Sequence, residues 1–275
     1  MDGRDWSKFL LPYEQAVEEL KVKFKILRTE LKAREEYSPI EFVTGRVKRI
    51  SSILAKAKKL SVPMDQLETG IEDIAGIRIM CQFEEDIERL AELICERQDL
   101  KMMYCKDYIR NKKDSGYRSY HIIVEYPVQT SLGMKNLLAE IQLRTLAMNF
   151  WATIEHSLNY KYHGTIPEDI SNRLSKAAEA AYRLDQEMSS IRDEIVESQK
   201  LFEDHASLVT KMLNQIQVLY FHRRVKEAGL FQSRFQEIWE SNELSRLYEL
   251  AEDVEAALAG LASGGKSKPA GDEGP

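Results

Sequence analysis

The sequence predicts an α+β fold, in which a mixed sheet of about five strands is flanked by helices and followed by a C-terminal helical arm. Segments of strand type interleave with segments whose apolar residues recur at three- and four-residue steps. From Pro167 onward the pattern is helical alone, which predicts the arm. The chain has 275 residues, 43% hydrophobic and 31% charged, so its size permits one large domain with an appendage.

Charge, hydropathy and cysteine content limit the class of protein. The net charge of −6 argues against a surface that binds nucleic acid throughout, so any anion site must be local. No apolar run is long enough to cross a bilayer, and the N-terminus lacks the features of a signal peptide. Cys81, Cys95 and Cys105 have no CxxC spacing and are odd in number, which indicates free thiols. We therefore expect a soluble, cytoplasmic protein without a zinc site.

The first predicted helix runs from Trp6 to Glu36 and is broken early at Pro12. Three cations on it, Lys21, Lys25 and Arg28, are spaced i, i+4, i+7 and form one basic stripe. A solvated face and an anion contact both explain such a stripe, and the local sequence does not decide between them.

A strand over residues 40–49 and a helix from Ile50 to Leu60 follow. Between Glu41 and Asp65 the chain carries six Lys or Arg and no acidic residue, which in an acidic chain is a focused positive patch. A helix N-terminus fed by a strand also favours phosphate. We therefore favour a polyphosphate site over a merely solubilising helix. The strand places Phe42, Thr44, Arg46 and Lys48 on one face; the helix places Ile50, Ile53, Leu54 and Ala57 on its apolar side and Ser52, Lys56 and Lys59 on another.

The next strand, within residues 72–81, has a buried composition but carries two charges. Strict alternation would point Asp73 and Arg78 to opposite faces. They can share a cleft only if Asp73 precedes the strand or if Gly76 marks a bulge. An Asp at the mouth of a strand near bound phosphates suits Mg²⁺, which takes few carboxylates and completes its shell with phosphate oxygens and water. A helix from Glu84 to Gln98 and a strand from Met102 to Ile109 are expected next.

Two further strands offer polar side chains to one cleft. If a strand begins near Tyr117, then Tyr117, Ser119 and His121 share a face, behind a Gly turn and two lysines. The strand over residues 137–144 has a polar face of Glu140, Gln142 and Arg144. The alternative is a hairpin with ordinary β-forming residues. Local chemistry thus predicts a magnesium-dependent enzyme or binder of purine nucleotides, and two separable sites suggest transfer between two nucleotides.

The rest of the chain is predicted to be helical. An aromatic-rich helix runs from Thr145 to Gly164, with its aromatic residues in the core and His156 as a packing histidine. A long helix from Pro167 to about Ala206 follows, and residues 208–261 form one or two helices interrupted around Gly229. Residues 262–275, rich in Gly, Ser, Lys and Pro, are expected to be a disordered tail.

Five segments resemble the synthetase motifs of the RelA/SpoT family, in order and spacing. The resemblance covers residues 1–198, is closest to the tetrameric small alarmone synthetases, and implies a nucleotidyltransferase-like synthetase domain there. It leaves residues 199–261 as a helical extension without a role. The segments are Thr44-Gly45-Arg46-Val47-Lys48, Glu72-Asp73-Ile74-Ala75-Gly76-Ile77-Arg78-Ile79, Lys106-Asp107-Tyr108-Ile109, Gly116-Tyr117-Arg118-Ser119-Tyr120-His121 and Glu140-Ile141-Gln142-Leu143-Arg144-Thr145.

The resemblance implies a GTP pyrophosphokinase, which moves a pyrophosphoryl group from ATP to the ribose 3′-hydroxyl of GDP or GTP in the stringent response. It implies that Asp73 binds Mg²⁺ and that Glu140 is either a second ligand or the base. The implied ATP-binding residues are Arg46 and Arg78 around adenine, and Lys48, Ser52, Lys56 and Lys59 on the phosphates. The implied GDP/GTP-binding residues are Tyr117, stacked on guanine, with Lys113, Arg118, His121 and Gln142.

Regulation and partners are also implied by the resemblance. A homotetramer would bind pppGpp in a central cleft as an allosteric activator. None of the five histidines is followed by Asp, so the His-Asp metal motif of the family's hydrolase domain is missing and we expect a synthetase only. Two rivals are a relative that pyrophosphorylates tRNA ends and a non-catalytic alarmone or RNA-binding regulator; single-stranded RNA binding alone would not exclude the enzyme. The residues carried over for the effector are Lys21, Lys25, Arg28, Glu41, Phe42, Thr44 and Asn149.

Overall fold

The computed structural model describes residues 5–161, 167–241 and 245–264, and the chain divides into two compact units, residues 1–191 and 192–275. This division and the predicted boundary after residue 198 both fall within one long helix. The elements of the first unit are α1 (Trp6–Ala33), β1 (Phe42–Val47), α2 (Ile50–Leu60), a 3-10 turn (Met64–Gln66), α3 (Leu67–Gly70), β2 (Ala75–Cys81), α4 (Glu84–Cys95), β3 (Lys101–Asp107), β4 (Tyr120–Thr130), β5 (Gly133–Thr145) and α5 (Leu146–Lys161). The long helix α6 (Glu168–Phe221) extends from the first unit into the second, followed by α7 (Val225–Ser241) and α8 (Ser245–Gly264).

The five strands form one mixed sheet in the order β1-β2-β5-β4-β3, which confirms the predicted architecture. Only β2 and β5 are parallel; the other three neighbouring pairs are antiparallel. Alternate residues of β2 and β5, such as Ile77, Ile79, Ile141 and Leu143, are fully buried in the hydrophobic core. The other set of alternate residues points to the opposite face of the sheet, where polar side chains gather.

The helix α1 passes through Pro12 without a break, so the expected break there is wrong. Proline removes a single backbone hydrogen bond, and the adjacent Tyr13 and Ala16 are fully buried, so packing holds the helix together. The helix ends at Ala33 rather than Glu36, because Glu35 adopts a left-handed φ of 57°.

The strand β4 begins at Tyr120, three residues later than expected, and pairs with β5 in a long hairpin. Ser119, just before it, is fully buried, and its hydroxyl donates to the Leu143 carbonyl. Strand β5 begins at Gly133 rather than at residue 137, because Gly133 supplies the positive φ of 113° that the tight connection to β4 needs.

Two helices turn fewer apolar residues inward than predicted. In α2, Ile53 and Ala57 are buried, but Ile50 and Leu54 are 37% and 40% exposed, because this short helix touches the core along one line only. In α5, Trp151 is buried and Phe150, one residue earlier around the helix, is 69% exposed. His156 is exposed as well, so its expected packing role is wrong. Residues 162–164 of the predicted helix lie outside the described residues.

The C-terminal unit has its own core, in which Met212, Ile216 and Leu219 of α6 pack with residues of α7 and α8. This packing explains why α6 continues past the expected end at Ala206. The chain turns after α6 at residues 222–224, where Arg223 has a φ of 61°, and Gly229 lies inside α7, so the expected interruption there is wrong. Residues 262–264 belong to α8 rather than to a tail, and residues 265–275 lie outside the described part of the chain.

Among the described helices, none is both long enough and apolar enough to cross a membrane.

Candidate active site

Two rows of directly paired residues cross the polar face of the sheet. Residues opposite each other on neighbouring strands point to the same side, so each row shares one surface. This register brings together predicted residues from four strands and shows that they occupy one face. The first row is Thr44, Arg78, Gln142, His121 and Lys106; the second is Arg46, Gly76, Glu140, Ile123 and Tyr104.

Asp73 precedes β2 by two residues, so strand alternation does not constrain its side chain, and β2 pairs without a bulge at Gly76. Its Oδ2 accepts a hydrogen bond from Lys48 Nζ over 2.6 Å, and its Oδ1 accepts one from Lys56 Nζ over 2.9 Å. Burial raises the pKa of Asp73, but the two ammonium groups outweigh it and the pKa lies below its usual value. Asp73 is therefore ionised at neutral pH.

Glu140 stands in the middle of β5 with both oxygens engaged. Its Oε1 lies 2.9 Å from His121 Nδ1, and its Oε2 accepts a hydrogen bond from Gln142 Nε2 over 2.6 Å. Burial raises the pKa of Glu140, but His121, the Gln142 hydrogen bond and the charge of Lys56 lower it to about 2. Lys56, which is hydrogen-bonded to Asp73, is therefore also near enough to Glu140 for its charge to lower the pKa of that carboxyl.

Two ionised carboxylates on one face fit a magnesium ion. Within the described ranges, no group of three or more His, Cys, Asp or Glu side chains could hold a metal by itself. Mg²⁺ is usually held by one or two carboxylates and substrate phosphates, with water completing its octahedron. Asp73 and Glu140 match this donor set.

A group of cations lies beside the carboxylates. Arg78 Nε donates to Gln142 Oε1 over 3.2 Å, and burial together with the nearby charges of Arg144 and Arg46 lowers the pKa of Arg78 to about 10. The side chain of Arg46 is exposed. Gly76 is not crowded either, since a Cβ built on it would lie 3.6 Å from the nearest atom, the Arg46 carbonyl oxygen. The surface therefore stays open beside two guanidinium groups, which suits a planar, negatively charged ligand.

The predicted phosphate residues on α2 are only partly assembled. Lys56 reaches Asp73, whereas Ser52, one turn earlier, and Lys59, one turn later, are exposed. Both lie on the helix at positions that a ligand extending from Lys56 could meet.

An aromatic corner surrounds Tyr117, three residues before β4. The hydroxyl of Tyr117 lies 2.8 Å from His121 Nε2 and accepts a hydrogen bond from Arg144 Nη2 over 2.6 Å. Lys113 Nζ lies 5.0 Å from the Tyr117 ring centroid and 4.6 Å from that of Tyr108. This corner presents an aromatic ring with cations on it, as predicted for a base carrying phosphates.

Lys106 and Tyr108 were missing from the predicted site, and Arg144 was predicted to face the cleft but was given no binding role. The signal for Arg144 was present, because it alternates with Glu140 and Gln142 on β5. Lys106 and Tyr108 stand in the Lys106-Asp107-Tyr108-Ile109 motif, but their place at the site depends on β3 lying beside β4, which the sequence did not give.

Arg118 is not brought into this corner. Its side chain is 6% exposed, donates from Nη2 to Glu179 over 2.9 Å and lies 4.1 Å from the ring centroid of Tyr182. Both partners are on α6. Neighbouring residues in extended chain point to opposite sides, so Arg118 and Tyr117 diverge.

The residues predicted for an effector lie along α1, β1 and α5. Arg28 Nη2 lies 3.9 Å from Glu41 Oε1, and Arg28 Nε is buried without a hydrogen-bond partner. Lys21, whose side chain is 22% exposed, pairs with Glu18 over 2.8 Å. The structure therefore joins the basic stripe to the segment before β1. Of the remaining predicted residues, Lys25, Phe42 and Thr44 are exposed and Asn149 is half-buried.

Comparisons with known proteins agree with this architecture. A family model described as "Region found in RelA / SpoT proteins" matches residues 45–165. GTP pyrophosphokinase YjbM of Bacillus subtilis is 58% identical over 202 residues, which cover 74% of this chain and 95% of that protein. A crystal structure of the B. subtilis small alarmone synthetase 1 bound to its product pppGpp has a TM-score of 0.67 and 59% identity, covering 69% of this chain and 97% of that chain. The structure of the same enzyme bound to AMPCPP has a TM-score of 0.62 and 55% identity, covering 70% of this chain and 98% of that chain. The chain belongs to the RelA/SpoT family, among its small alarmone synthetases.

Proposed function

We propose that this chain is a GTP pyrophosphokinase that transfers the pyrophosphoryl group of ATP to the ribose 3′-hydroxyl of GDP or GTP, releasing AMP. The observation that carries the proposal is that two ionised carboxylates, Asp73 and Glu140, both lie near the ammonium group of Lys56, with the Tyr117 ring close to Glu140 through His121. The relative that shares 58% of its residues bears this activity in its name, and solved relatives hold AMPCPP and pppGpp.

ATP would occupy the side of the face nearest β1. Arg46 and Arg78 would enclose the adenine, because planar guanidinium groups stack on a base as ammonium groups cannot. The phosphates would draw Lys48 and Lys56 away from Asp73, and Ser52 and Lys59 would extend this contact along α2. The lysines are thus held in place before the substrate arrives, with Asp73 as their temporary counter-charge.

GDP or GTP would occupy the aromatic corner. Tyr117 would stack on guanine, with Lys113 next to the ring and His121 and Gln142 close to the ribose. Arg118 has no part in this binding, because it is packed against α6. The acceptor hydroxyl would then lie near Glu140, to which both His121 and Gln142 are hydrogen-bonded.

Catalysis would come mainly from positioning and charge neutralisation, because phosphoryl transfer through a loose transition state needs little covalent help. Asp73 and Glu140 would hold a Mg²⁺ ion, which supplies positive charge to the ATP phosphates. Despite burial, His121 and Gln142 hold the pKa of Glu140 below its usual value, so this carboxylate is ionised and available for either of its two predicted roles, metal ligand or base.

Separation of the products from ATP, GDP and Mg²⁺ by thin-layer chromatography tests the proposal. We expect AMP and ppGpp from the wild type and neither from Asp73→Asn or Glu140→Gln. Replacing GDP with tRNA in the same assay tests the rival function. Label from ATP that appears on tRNA ends and not on GDP would contradict the proposal.

We further propose a synthetase without hydrolase activity that forms a homotetramer and is activated by pppGpp. The basic stripe of α1, next to Glu41, supports an effector site where two subunits could each contribute cations. Added pppGpp should raise initial rates of the wild type and have a smaller effect on Lys25→Ala. Equal rates at all pppGpp concentrations would contradict the activation, and pyrophosphate released from ppGpp with Mn²⁺ would contradict the absence of hydrolysis.

A further inference from the structure

Glu72 lies next to Asp73 in the segment between α3 and β2, but it contacts the far edge of the sheet. Its Oε1 accepts a hydrogen bond from the Tyr104 hydroxyl, and its Oε2 accepts one from Lys106 Nζ over 3.1 Å. Tyr104 and Lys106 are on β3, which is separated from β2 by β5 and β4. Since neighbouring strands lie about 4.8 Å apart, β3 lies roughly 14 Å from β2 across the polar face. The contact of Glu72 with Tyr104 and Lys106, here called the Glu72 bridge, therefore joins the segment before β2 to the far strand of the sheet.

The Glu72 bridge passes close to Glu140. Tyr104 pairs in register with Ile123, which pairs with Glu140, and these three residues point to the same face. Ile123 is only 1% exposed although it lies on the polar face and outside the main hydrophobic core cluster. The bridge therefore covers the sheet at the row that contains Glu140.

The bridge also holds a cation of the neighbouring row, which contains His121 and Gln142. Lys106 stands directly opposite His121, the histidine that is hydrogen-bonded to Glu140. Burial lowers the pKa of Lys106, but Glu72 and Tyr104 together outweigh this and raise it, so Lys106 is a charged partner of Glu72. Glu72 is the carboxylate paired with Lys106, and the residue opposite Lys106, His121, is the one that contacts Glu140.

We propose that Glu72 is a positioning residue of the pyrophosphokinase reaction, which keeps Lys106 away from Glu140 and fixes the segment that carries Asp73. Glu72 does not itself touch the reacting atoms. The inference rests on the proposed function, because it needs Asp73 and Glu140 to serve one reacting centre.

A matched pair of variants tests this role. Glu72→Gln and Glu68→Gln each remove the charge of a carboxylate that binds a lysine of the sheet. Glu68 binds Lys135 over 2.6 Å. The two carboxylates are similarly exposed, with side-chain exposures of 30% for Glu72 and 40% for Glu68. We expect Glu72→Gln to lower kcat about 10-fold or more with KM values for both nucleotides within about 3-fold. Glu68→Gln should stay within about 2-fold of wild type.

A second variant separates positioning from a structural role. Adding Lys106→Gln to Glu72→Gln removes the released cation and should recover part of kcat, so the two effects are not additive. Mn²⁺ binding in the presence of AMPCPP, followed by electron paramagnetic resonance, should weaken in Glu72→Gln and recover in the double variant. Tyr104→Phe, which leaves the Lys106 pair intact, should reduce kcat less than Glu72→Gln.

Three results would overturn the positioning role: equal kcat for Glu72→Gln and Glu68→Gln, a double variant whose loss is the product of the single losses, or a loss that only follows the melting temperature. A wild type that makes no product from ATP and GDP would instead contradict the proposed function, so the two failures are distinguishable.

Discussion

The ammonium group of Lys48 lies 2.6 Å from Oδ2 of Asp73, and with Lys56 on Oδ1 both oxygens of this carboxylate are occupied by the chain's own cations. The side chains that would bind the triphosphate are therefore neutralised by the group that would bind the metal. ATP binding must replace these contacts with contacts between the lysines and phosphate, and the free energy of this exchange can be measured.

Asp73→Asn is expected to bind ATP more tightly than wild type when EDTA removes divalent metal. The lysines would no longer have to leave a carboxylate, and hydrogen bonds to charged groups contribute about 1.5–3 kcal/mol, so a gain of roughly 10-fold or more is expected. Isothermal titration calorimetry measures it, with Asp65→Asn, on the exposed 3-10 turn, as control. Equal or weaker binding by Asp73→Asn would show that the exchange does not occur.

Tyr117→Leu should raise KM for GDP without a comparable change in KM for ATP. Base stacking on an aromatic side chain contributes about 1–3 kcal/mol, which corresponds to roughly a 10-fold change or more. Arg118→Ala should leave the KM for GDP unchanged but lower the melting temperature, because it removes the contacts with Glu179 and Tyr182. Steady-state kinetics and thermal unfolding of the two variants check this contrast. A raised KM for GDP in Arg118→Ala would return that residue to the binding site.

Gly116 and Gly133 both have positive φ, 86° and 113°, but only Gly116 is crowded. A Cβ on Gly116 would lie 2.6 Å from the Ala178 Cβ, whereas one on Gly133 would meet nothing within 4 Å. Gly133→Ala should therefore cost about 1 kcal/mol of unfolding free energy from backbone strain alone, and Gly116→Ala distinctly more. Urea denaturation measures both; equal losses would mean that the loop does not pack on α6 as described.

Asp185 makes stability depend on pH. It is 6% exposed and accepts a hydrogen bond from Thr145 over 2.5 Å; burial raises its pKa to about 6, and the Thr145 contact offsets this only in part. The folded state thus favours the protonated acid, so this group's contribution is lost as pH rises from about 4 through 6. Asp185→Asn should stabilise the protein at pH 8 by up to about 2–3 kcal/mol and have little effect at pH 4. Denaturation at both pH values measures the difference, and a variant less stable at pH 8 would contradict it.

Much of the fold followed from local pattern. The bounds of α2 and the alternation that puts Glu140 and Gln142 opposite Ile141 were predictable, because a short periodic segment shows both in its own sequence. The length of α6 was not, since Met212 and Leu219 are held by α7 and α8, contacts between residues far apart in the chain.

The candidate site, like the fold, was predictable only where local sequence decides the structure. Residues on one strand were found together, and local chemistry also indicated Asp73 and the basic patch between Glu41 and Asp65; the family resemblance added the role of each residue. The orientation of the Arg118 side chain could not be predicted, because it depends on packing against α6. The Glu72 bridge could not be predicted either, because it depends on the position of β3 across the sheet.

The central claim is that Asp73 and Glu140 serve one centre of pyrophosphoryl transfer to a ribose oxygen. The most direct measurement uses ATP with a heavy-oxygen label on its β-phosphorus, together with GDP and Mg²⁺, and detects the isotope shift by phosphorus NMR of the purified guanosine product. We predict labelled pyrophosphate on the 3′-oxygen for the wild type and none for Asp73→Asn or Glu140→Gln. Label found only in inorganic pyrophosphate, or full transfer by either variant, would contradict the claim.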